Sequence, residues 1–322
     1  MREMLKMENA KVLVAGLAVR QLPELEKVCE VTFAPAGAGK DWYLANLGDF
    51  DALITGKLPV DQELLDAGKK LKIVSATGVG YDHIDVDYAS SQGIIVSNCP
   101  ASVMQPTAEM AFTLLLALSR KLALYNQEMR QENFLDTGLL ENQGQSPVGK
   151  TLGIFGMGRI GKTLASYART FGMNILYHNR HQLPEDEERA LGVSYVPLAD
   201  LLSQADYVSL NAPATAETYH VIDEAALSMM QPTAFLINTS RGSQVDEAAL
   251  LRALKGKRIA GAGLDVFEEE PDFNKEFCQL DNVILTPHAG SATRESRRSV
   301  LKEASHNIVS FLVDGVPVNR VN

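Results

Sequence analysis

Three apolar runs in the second half of the chain each lead into a residue able to do chemistry. Arg241 follows one in Ile237-Asn238-Thr239-Ser240-Arg241-Gly242. Glu270 follows another in GLDVFEEEP at 263–271, and His288 a third in LTPHAG at 285–290. A fixed guanidinium can hold a carboxylate and polarise a neighbouring carbonyl oxygen. An imidazole can give that oxygen a proton and take it back. A carboxylate on the other ring nitrogen stabilises the imidazolium. Together these are the parts for reversible hydride transfer at a carbonyl, and Asp265 could anchor the amide of a hydride carrier. Taken singly, each has a plainer reading: a surface ion pair for the Arg, a solvated face for the Glu triplet, a structural role for the His. The chain's other histidines are read as structural.

Hydride chemistry needs a carrier, and residues 150–180, KTLGIFGMGRIGKTLASYARTFGMNILYHNR, are patterned to hold one. An apolar run, Thr151 to Phe155, reads as a buried strand. Gly156, Gly158 and Gly161 follow in the spacing G-x-G-x-x-G, with Met157, Arg159 and Ile160 between them, and a helical pattern runs on through Phe171. A second apolar run, Asn174 to Tyr177, closes a β-α-β unit of about thirty residues. The first glycine permits the tight turn, the second lets backbone approach a pyrophosphate, and the third lets helix and strand pack closely. The phosphates then meet free N–H groups and the positive end of a helix dipole.

The far end of this unit bears on which dinucleotide binds. An NAD site usually places an acidic residue about twenty residues past the glycines. Here His178-Asn179-Arg180-His181 stands there, with no carboxylate before Glu185. The planar fork of Arg180 suits a 2′-phosphate, so NADP(H) is the preferred cofactor, with NAD(H) possible. The alternative is that Arg180 is a solvated loop residue. Ala212, Pro213, Thr218, Thr239 and Gly290 complete the candidate cofactor contacts.

These residues must be carried by sheets. From Lys11 to Asn98 apolar runs at Lys11–Gly16, Val31–Phe33, Ala52–Thr55, Lys72–Ala76 and Ile94–Ser97 alternate with helical patterns near Pro23–Cys29, Val60–Ala67 and Asp85–Gln92. That alternation predicts a parallel sheet with helices on both faces. Thr77-Gly78-Val79-Gly80 follows a strand end, where its N–H groups could hold a carboxylate, or it is a plain βα turn. Pro100 to Pro106 reads as a connection, Thr107 to Gln127 as one long helix, and Asp136 to Pro147 as a polar loop. After Arg180, strands are expected near Ser194–Val196, Tyr207–Leu210, Ala234–Asn238, Gly261–Asp265 and Val283–Leu285. A last helix, Arg294 to Asp314, has no strand left to pair with in this second sheet and is expected to cross back to the first domain. The fold class is therefore α/β, with two doubly wound parallel-sheet domains: residues 1–101 with 292–322, and 102–291.

At 322 residues the length fits two such cores. A formal net charge of −10 argues against nucleic acid or an anionic membrane as partner, so an anionic substrate needs a local cationic pocket. Cys29, Cys99 and Cys278 are too few and scattered for a disulfide framework or a metal site, which fits a cytoplasmic protein. Val12 to Val19 is apolar, but Glu3 and Glu8 precede it and no A-x-A site follows, so a first strand is expected rather than a signal peptide. The apolar stretch Ala108 to Leu124 holds Glu109, Arg120 and Lys121, which interrupt it too often for a membrane span.

Over nearly its whole length the chain resembles the D-2-hydroxyacid dehydrogenase family. The resemblance is carried by GMGRIG at 156–161, INTSRG at 237–242, GLDVFEEEP at 263–271 and TPHAG at 286–290, with TGVGYDHID at 77–85 and PTAEMA at 106–111. It implies that Arg241, Glu270 and His288 are the catalytic trio and that Gly78, Val79 and Gly80 bind the substrate carboxylate. It also implies a Rossmann cofactor domain inserted into a discontinuous flavodoxin-like substrate domain, a cleft between the two, and a homodimer built mainly from the cofactor domain. The HNRH segment at 178–181 resembles the glyoxylate/hydroxypyruvate reductase branch, which favours NADPH. Glu270 argues against formate dehydrogenase, which carries Gln there, and the end at Asn322 against an appended regulatory domain. Two departures stand out. Asn211-Ala212-Pro213 lacks the His many members have there, and Phe134 replaces a frequent Trp near the substrate pocket. The implied activity is NADPH-dependent reduction of a short 2-oxo acid, such as glyoxylate or hydroxypyruvate, to the D-hydroxy acid where the product is chiral. The alternatives are an NADH-dependent enzyme for bulkier or phosphorylated substrates, of the 2-oxoisocaproate or 3-phosphoglycerate type, and a dinucleotide-sensing corepressor.

Overall fold

The structure, a computed structural model, describes residues 10–17 and 21–322. Glu3, Glu8 and the Ala18–Val19 end of the first apolar run lie outside the described residues. The chain divides into two compact units, one of the described residues up to Met104 together with Ala292–Asn322, the other Gln105–Ser291.

The first unit holds β1 (Ala10–Ala15), α1 (Pro23–Glu26), β2 (Cys29–Phe33), α2 (Lys40–Asn46), β3 (Ala52–Thr55), α3 (Gln62–Ala67), β4 (Ile73–Ala76), α4 (Val86–Ser91) and β5 (Ile95–Ser97). All strand pairs are parallel, in the order β2-β1-β3-β4-β5, a flavodoxin-like arrangement. Such a sheet is covered on both faces, so its strands read as continuous apolar runs. Val12 and Val14 enter one core cluster while Leu13 and Ala15 enter the other, as alternation along a strand requires. The C-terminal helix, Arg294–Leu312, packs Val300, Ala304, Ile308 and Leu312 into the first cluster. Their four-residue spacing is that of one helical face. Asp61 and Asp85 cap α3 and α4 by accepting from Leu64 N–H and Tyr88 N–H. Helix α2 is not among the elements expected from sequence; it buries only Tyr43, too little for a periodic signal.

The expected connection at Pro100–Pro106 is instead helical, the start of α5 (Pro100–Ser119). Pro100 opens the helix, where its missing N–H costs nothing. Pro106 would leave the Ser102 carbonyl without its helical donor, and the Ser296 hydroxyl donates to that carbonyl at 2.8 Å. Nor is Thr107–Gln127 one helix. The chain turns at Lys121, in the left-handed region at φ +51°, and resumes as α6 (Leu122–Arg130). Helix α5 is long and apolar enough to cross a membrane by length and composition, but Ala108, Ala111, Phe112, Leu114, Leu115 and Leu118 are buried in the core of the second unit. Helix α6 buries no residue, and Leu122, Met129, Phe134, Leu140 and Val148 are exposed, Phe134 at 85%.

The second unit continues with β6 (Thr151–Phe155), α7 (Arg159–Thr170), β7 (Asn174–His178), α8 (Glu185–Leu191), β8 (Ser194–Tyr195), α9 (Leu198–Gln204), β9 (Tyr207–Leu210), α10 (Glu224–Met229), β10 (Phe235–Asn238), α11 (Glu247–Lys255), β11 (Gly261–Leu264) and β12 (Val283–Leu285). Its parallel sheet runs β12-β11-β10-β9-β6-β7-β8. The order reverses direction at the β6–β9 pair, and in open α/β sheets ligands bind outside the strand ends at such a switch point.

Candidate active site

The glycine loop leaves β6 at the switch point. Gly156 has φ +98°, and a Cβ there would lie 2.4 Å from Ala212 N, in the loop after β9. A Cβ at Gly161 would lie 2.3 Å from Gly156 O. Both positions are closed by the protein itself. Gly158 is different: it is exposed, caps α7 in extended backbone, and a Cβ there would meet nothing within 4 Å. The open space beside a helix N-terminus fits a pyrophosphate. Met157 is buried, Ile160 half-buried and Arg159 exposed. The Asn179 side chain accepts from Met157 N–H at 2.6 Å, so it braces the loop.

His178 stacks between Phe155 and Tyr195, and its Nδ1 meets the Val196 carbonyl at 3.0 Å. Since a carbonyl only accepts, Nδ1 carries the proton. Arg180 is exposed. The Glu217 carboxyl, in the loop after β9, is lowered chiefly by the Thr215 hydroxyl and its own backbone N–H, with a smaller pull from Arg180. In that loop Ala212 is buried, and its carbonyl accepts from Gln244 Nε2 at 3.0 Å. Pro213 is exposed, and the Thr218 hydroxyl donates to the Pro213 carbonyl at 2.9 Å, closing its own turn. At the ends of β9 and β10, Asn211 Oδ1 and Thr239 Oγ1 are buried without a partner among the described residues. Buried polar atoms need partners, and the hydroxyl and amide groups of a dinucleotide are suited to supply them.

The three chemical side chains sit on loops leaving β10, β11 and β12, which are neighbours in the sheet. His288 Nδ1 pairs with Glu270 Oε2 at 2.7 Å. His288 is 38% exposed, so a substrate can reach it. Glu270 Oε1 accepts from Phe267 N–H at 3.2 Å, which fixes the carboxylate against its own loop. The Glu270–Pro271 bond is cis. Arg241 is half-buried, with Nη1 donating to the Ser240 carbonyl at 2.8 Å and its carbonyl accepting from Asn238 Nδ2 at 2.9 Å.

Asp265 holds the histidine loop. It is 1% exposed, and its carboxylate accepts from the Thr286 hydroxyl, from Ala289 N–H at 2.7 Å and from Gly290 N–H at 2.7 Å. Its carbonyl accepts from His288 N–H at 2.7 Å. Together these bonds hold His288 at φ +52°, a conformation uncommon outside glycine. The expected place of Asp265 beside a nicotinamide thus comes with a bracing duty that sequence reading did not foresee. Gly242 was also missed. A Cβ there would lie 1.8 Å from the Phe267 carbonyl carbon, so only glycine lets the Arg241 loop pass the loop of Glu270. A glycine directly after a candidate functional residue was the available signal.

In the first unit, the Gly78 carbonyl accepts from Cys99 N–H and the Val79 carbonyl from Asn98 Nδ2, both at 2.8 Å. Among the described residues, the Val79 and Gly80 N–H groups donate to no protein acceptor. With its carbonyls tied down, the loop offers donors suited to a carboxylate.

Residues 112–290 match the family described as D-isomer specific 2-hydroxyacid dehydrogenase, NAD binding domain. A glyoxylate reductase of Thermococcus litoralis is 44% identical over 315 residues, 94% of this chain and 95% of that protein. The chain belongs to the D-isomer-specific 2-hydroxyacid dehydrogenase family. The fold of a glyoxylate reductase from Paecilomyes thermophila superposes with a TM-score of 0.90 at 34% identity, covering 98% of this chain and 99% of that one. An NADPH-dependent glyoxylate/hydroxypyruvate reductase of Sinorhizobium meliloti, solved with NADP and malonate, superposes at 0.85 with 33% identity, covering 97% of each chain. Membership makes this dehydrogenase an oxidoreductase of 2-oxo and 2-hydroxy acids that uses a nicotinamide dinucleotide.

Proposed function

We propose that this dehydrogenase reduces short 2-oxo acids, glyoxylate to glycolate and hydroxypyruvate to D-glycerate, and prefers NADPH to NADH. The observation that carries the reaction is the His288–Glu270 pair at 2.7 Å, which joins the loops after β12 and β11, the latter neighbouring the loop of Arg241. When bound, the dihydronicotinamide supplies hydride to the carbonyl carbon. Arg241 pairs with the substrate carboxylate and polarises the oxygen where negative charge develops. His288 gives its Nε2 proton to that oxygen, while its Nδ1–H donates to Glu270, which stabilises the imidazolium before transfer. Oxidation of the hydroxy acid runs the same proton back.

The preference for NADPH rests on Arg180 at the end of β7, where no carboxylate stands to accept from a ribose hydroxyl. The direct test mixes the protein with glyoxylate or hydroxypyruvate and follows NADPH and NADH oxidation separately. Faster NADPH turnover supports both parts of the reading. NADH preference keeps the reaction and removes the 2′-phosphate argument. No turnover of either directs attention to branched or phosphorylated oxo acids. Arg180→Ala is expected to cut the NADPH/NADH ratio of kcat/KM by about 10- to 100-fold, the size of a charge-assisted pair. An unchanged ratio removes Arg180 from the cofactor site. Arg241→Ala is expected to lower kcat/KM for the oxo acid by about 10²- to 10³-fold while moving the NADPH Kd less than about threefold. Equal losses for acid and cofactor would argue against its role.

A homodimer is part of the same reading. Its support is four exposed apolar side chains, Leu122, Met129, Phe134 and Leu140, on α6 and the segment that follows it. Sedimentation is expected to show twice the chain mass, and a monomer at micromolar concentration would remove it.

A further inference from the structure

The segment between β7 and α8 carries Arg180, and it is clamped from beneath. Tyr177, in β7, is fully buried. Its hydroxyl donates to Glu188 Oε1 in α8 at 2.6 Å and accepts from Leu183 N–H at 2.8 Å. Gln182 Nε2 donates to both oxygens of the same carboxylate, at 3.1 and 3.2 Å. One carboxylate thus ties down a loop side chain and the phenol that holds the loop backbone. Burial, with the Glu188 carboxylate beside it, pushes the Tyr177 hydroxyl up to about 12, so it remains a donor at neutral pH.

Both ends of the loop are fixed to the cofactor machinery. Glu187 pairs with Lys162 of α7, the helix that begins at the glycine loop. Asn179 accepts from Met157 N–H within that loop. Arg180 and His181 therefore lie between an anchor at Asn179 and an anchor at Gln182–Leu183. A planar guanidinium meets two phosphate oxygens only from a narrow range of directions, so fixing its backbone conserves the pairing.

We propose that Tyr177 and Glu188 are positioning residues for cofactor selection, a hydroxyl–carboxylate clamp that aims Arg180 at the 2′-phosphate of NADPH. This rests on the NADPH reading of Arg180. Tyr177 is fully buried, and both residues act through the loop.

The test is steady-state kinetics with each cofactor for Tyr177→Phe, Arg180→Ala and the double variant, with thermal unfolding to check folding. Tyr177→Phe removes one hydroxyl from a buried ring. It is expected to raise the KM for NADPH about three- to tenfold, a fraction of the worth of the hydroxyl's two hydrogen bonds, with kcat kept and the KM for NADH moved less than about twofold. Added to Arg180→Ala it is expected to raise the NADPH KM no further, because a residue acting through Arg180 has nothing left to act on. Equal rises for both cofactors, or full additivity with Arg180→Ala, would overturn the clamp and leave Tyr177 a packing residue. If Arg180→Ala collapses the NADPH/NADH ratio but Tyr177→Phe leaves it alone, the clamp falls and the 2′-phosphate reading stands. If Arg180→Ala itself leaves the ratio unchanged, both fall. Should Tyr177→Phe fail to fold, Glu188→Ala takes its place with the same expected split.

Discussion

Replacing His288 with alanine is expected to lower kcat for glyoxylate reduction by about 10²- to 10⁴-fold, the usual worth of a positioned acid–base group. The NADPH Kd should stay within about twofold. The reason lies in how the side chain is held. Asp265 accepts from Ala289 and Gly290 N–H and from the Thr286 hydroxyl, so the loop is braced without the imidazole. Removing the ring therefore removes the proton donor and leaves the Glu270 carboxylate anchored on Phe267 N–H. Single-turnover oxidation of bound NADPH, with cofactor affinity measured by fluorescence, separates the two quantities. A variant that keeps more than about a tenth of kcat would take His288 out of the proton-transfer role.

Gly242→Ala is expected to damage folding and catalysis together. The added methyl would lie 1.8 Å from the Phe267 carbonyl carbon, 2.0 Å from its oxygen and 2.3 Å from Glu268 N. All three are backbone atoms, so no rotamer change relieves the overlap. Overpacking of this kind costs about 1–3 kcal/mol or more, which in a unit of this size lowers Tm by several degrees. The relief must come from separating the loop after β10 from the loop after β11, which carry Arg241 and Glu270. We expect kcat/KM to fall more than the loss of folded protein accounts for, measured on samples corrected for folded fraction. A variant with the parent's Tm and activity would mean that the two loops part without consequence.

Strand positions were legible because buried parallel strands are continuous apolar runs between turn residues. Ala52–Thr55, Thr151–Phe155, Tyr207–Leu210 and Val283–Leu285 have the bounds read from sequence. The G-x-G-x-x-G spacing likewise pointed to its helix, because its glycines answer a local steric demand. The errors fell where a distant residue changed a local rule. Pro106 signals a break, yet the helix continues because Ser296 supplies the hydrogen bond that proline cannot. Lys121 carries no breaker signal, yet adopts positive φ at the α5–α6 junction.

By itself, then, the sequence determined the family, the two α/β units, the glycine loop and the residue types available for hydride chemistry, since each is written in a short local pattern. The tertiary structure decided which atoms meet. That His288 stands 2.7 Å from Glu270, that Asp265 braces the histidine loop, and that the loop after β9 closes over Gly156 while Gly158 faces open space all depend on strand order. Strand order is set by packing between segments far apart in the chain, and periodicity within any one segment carries no record of it.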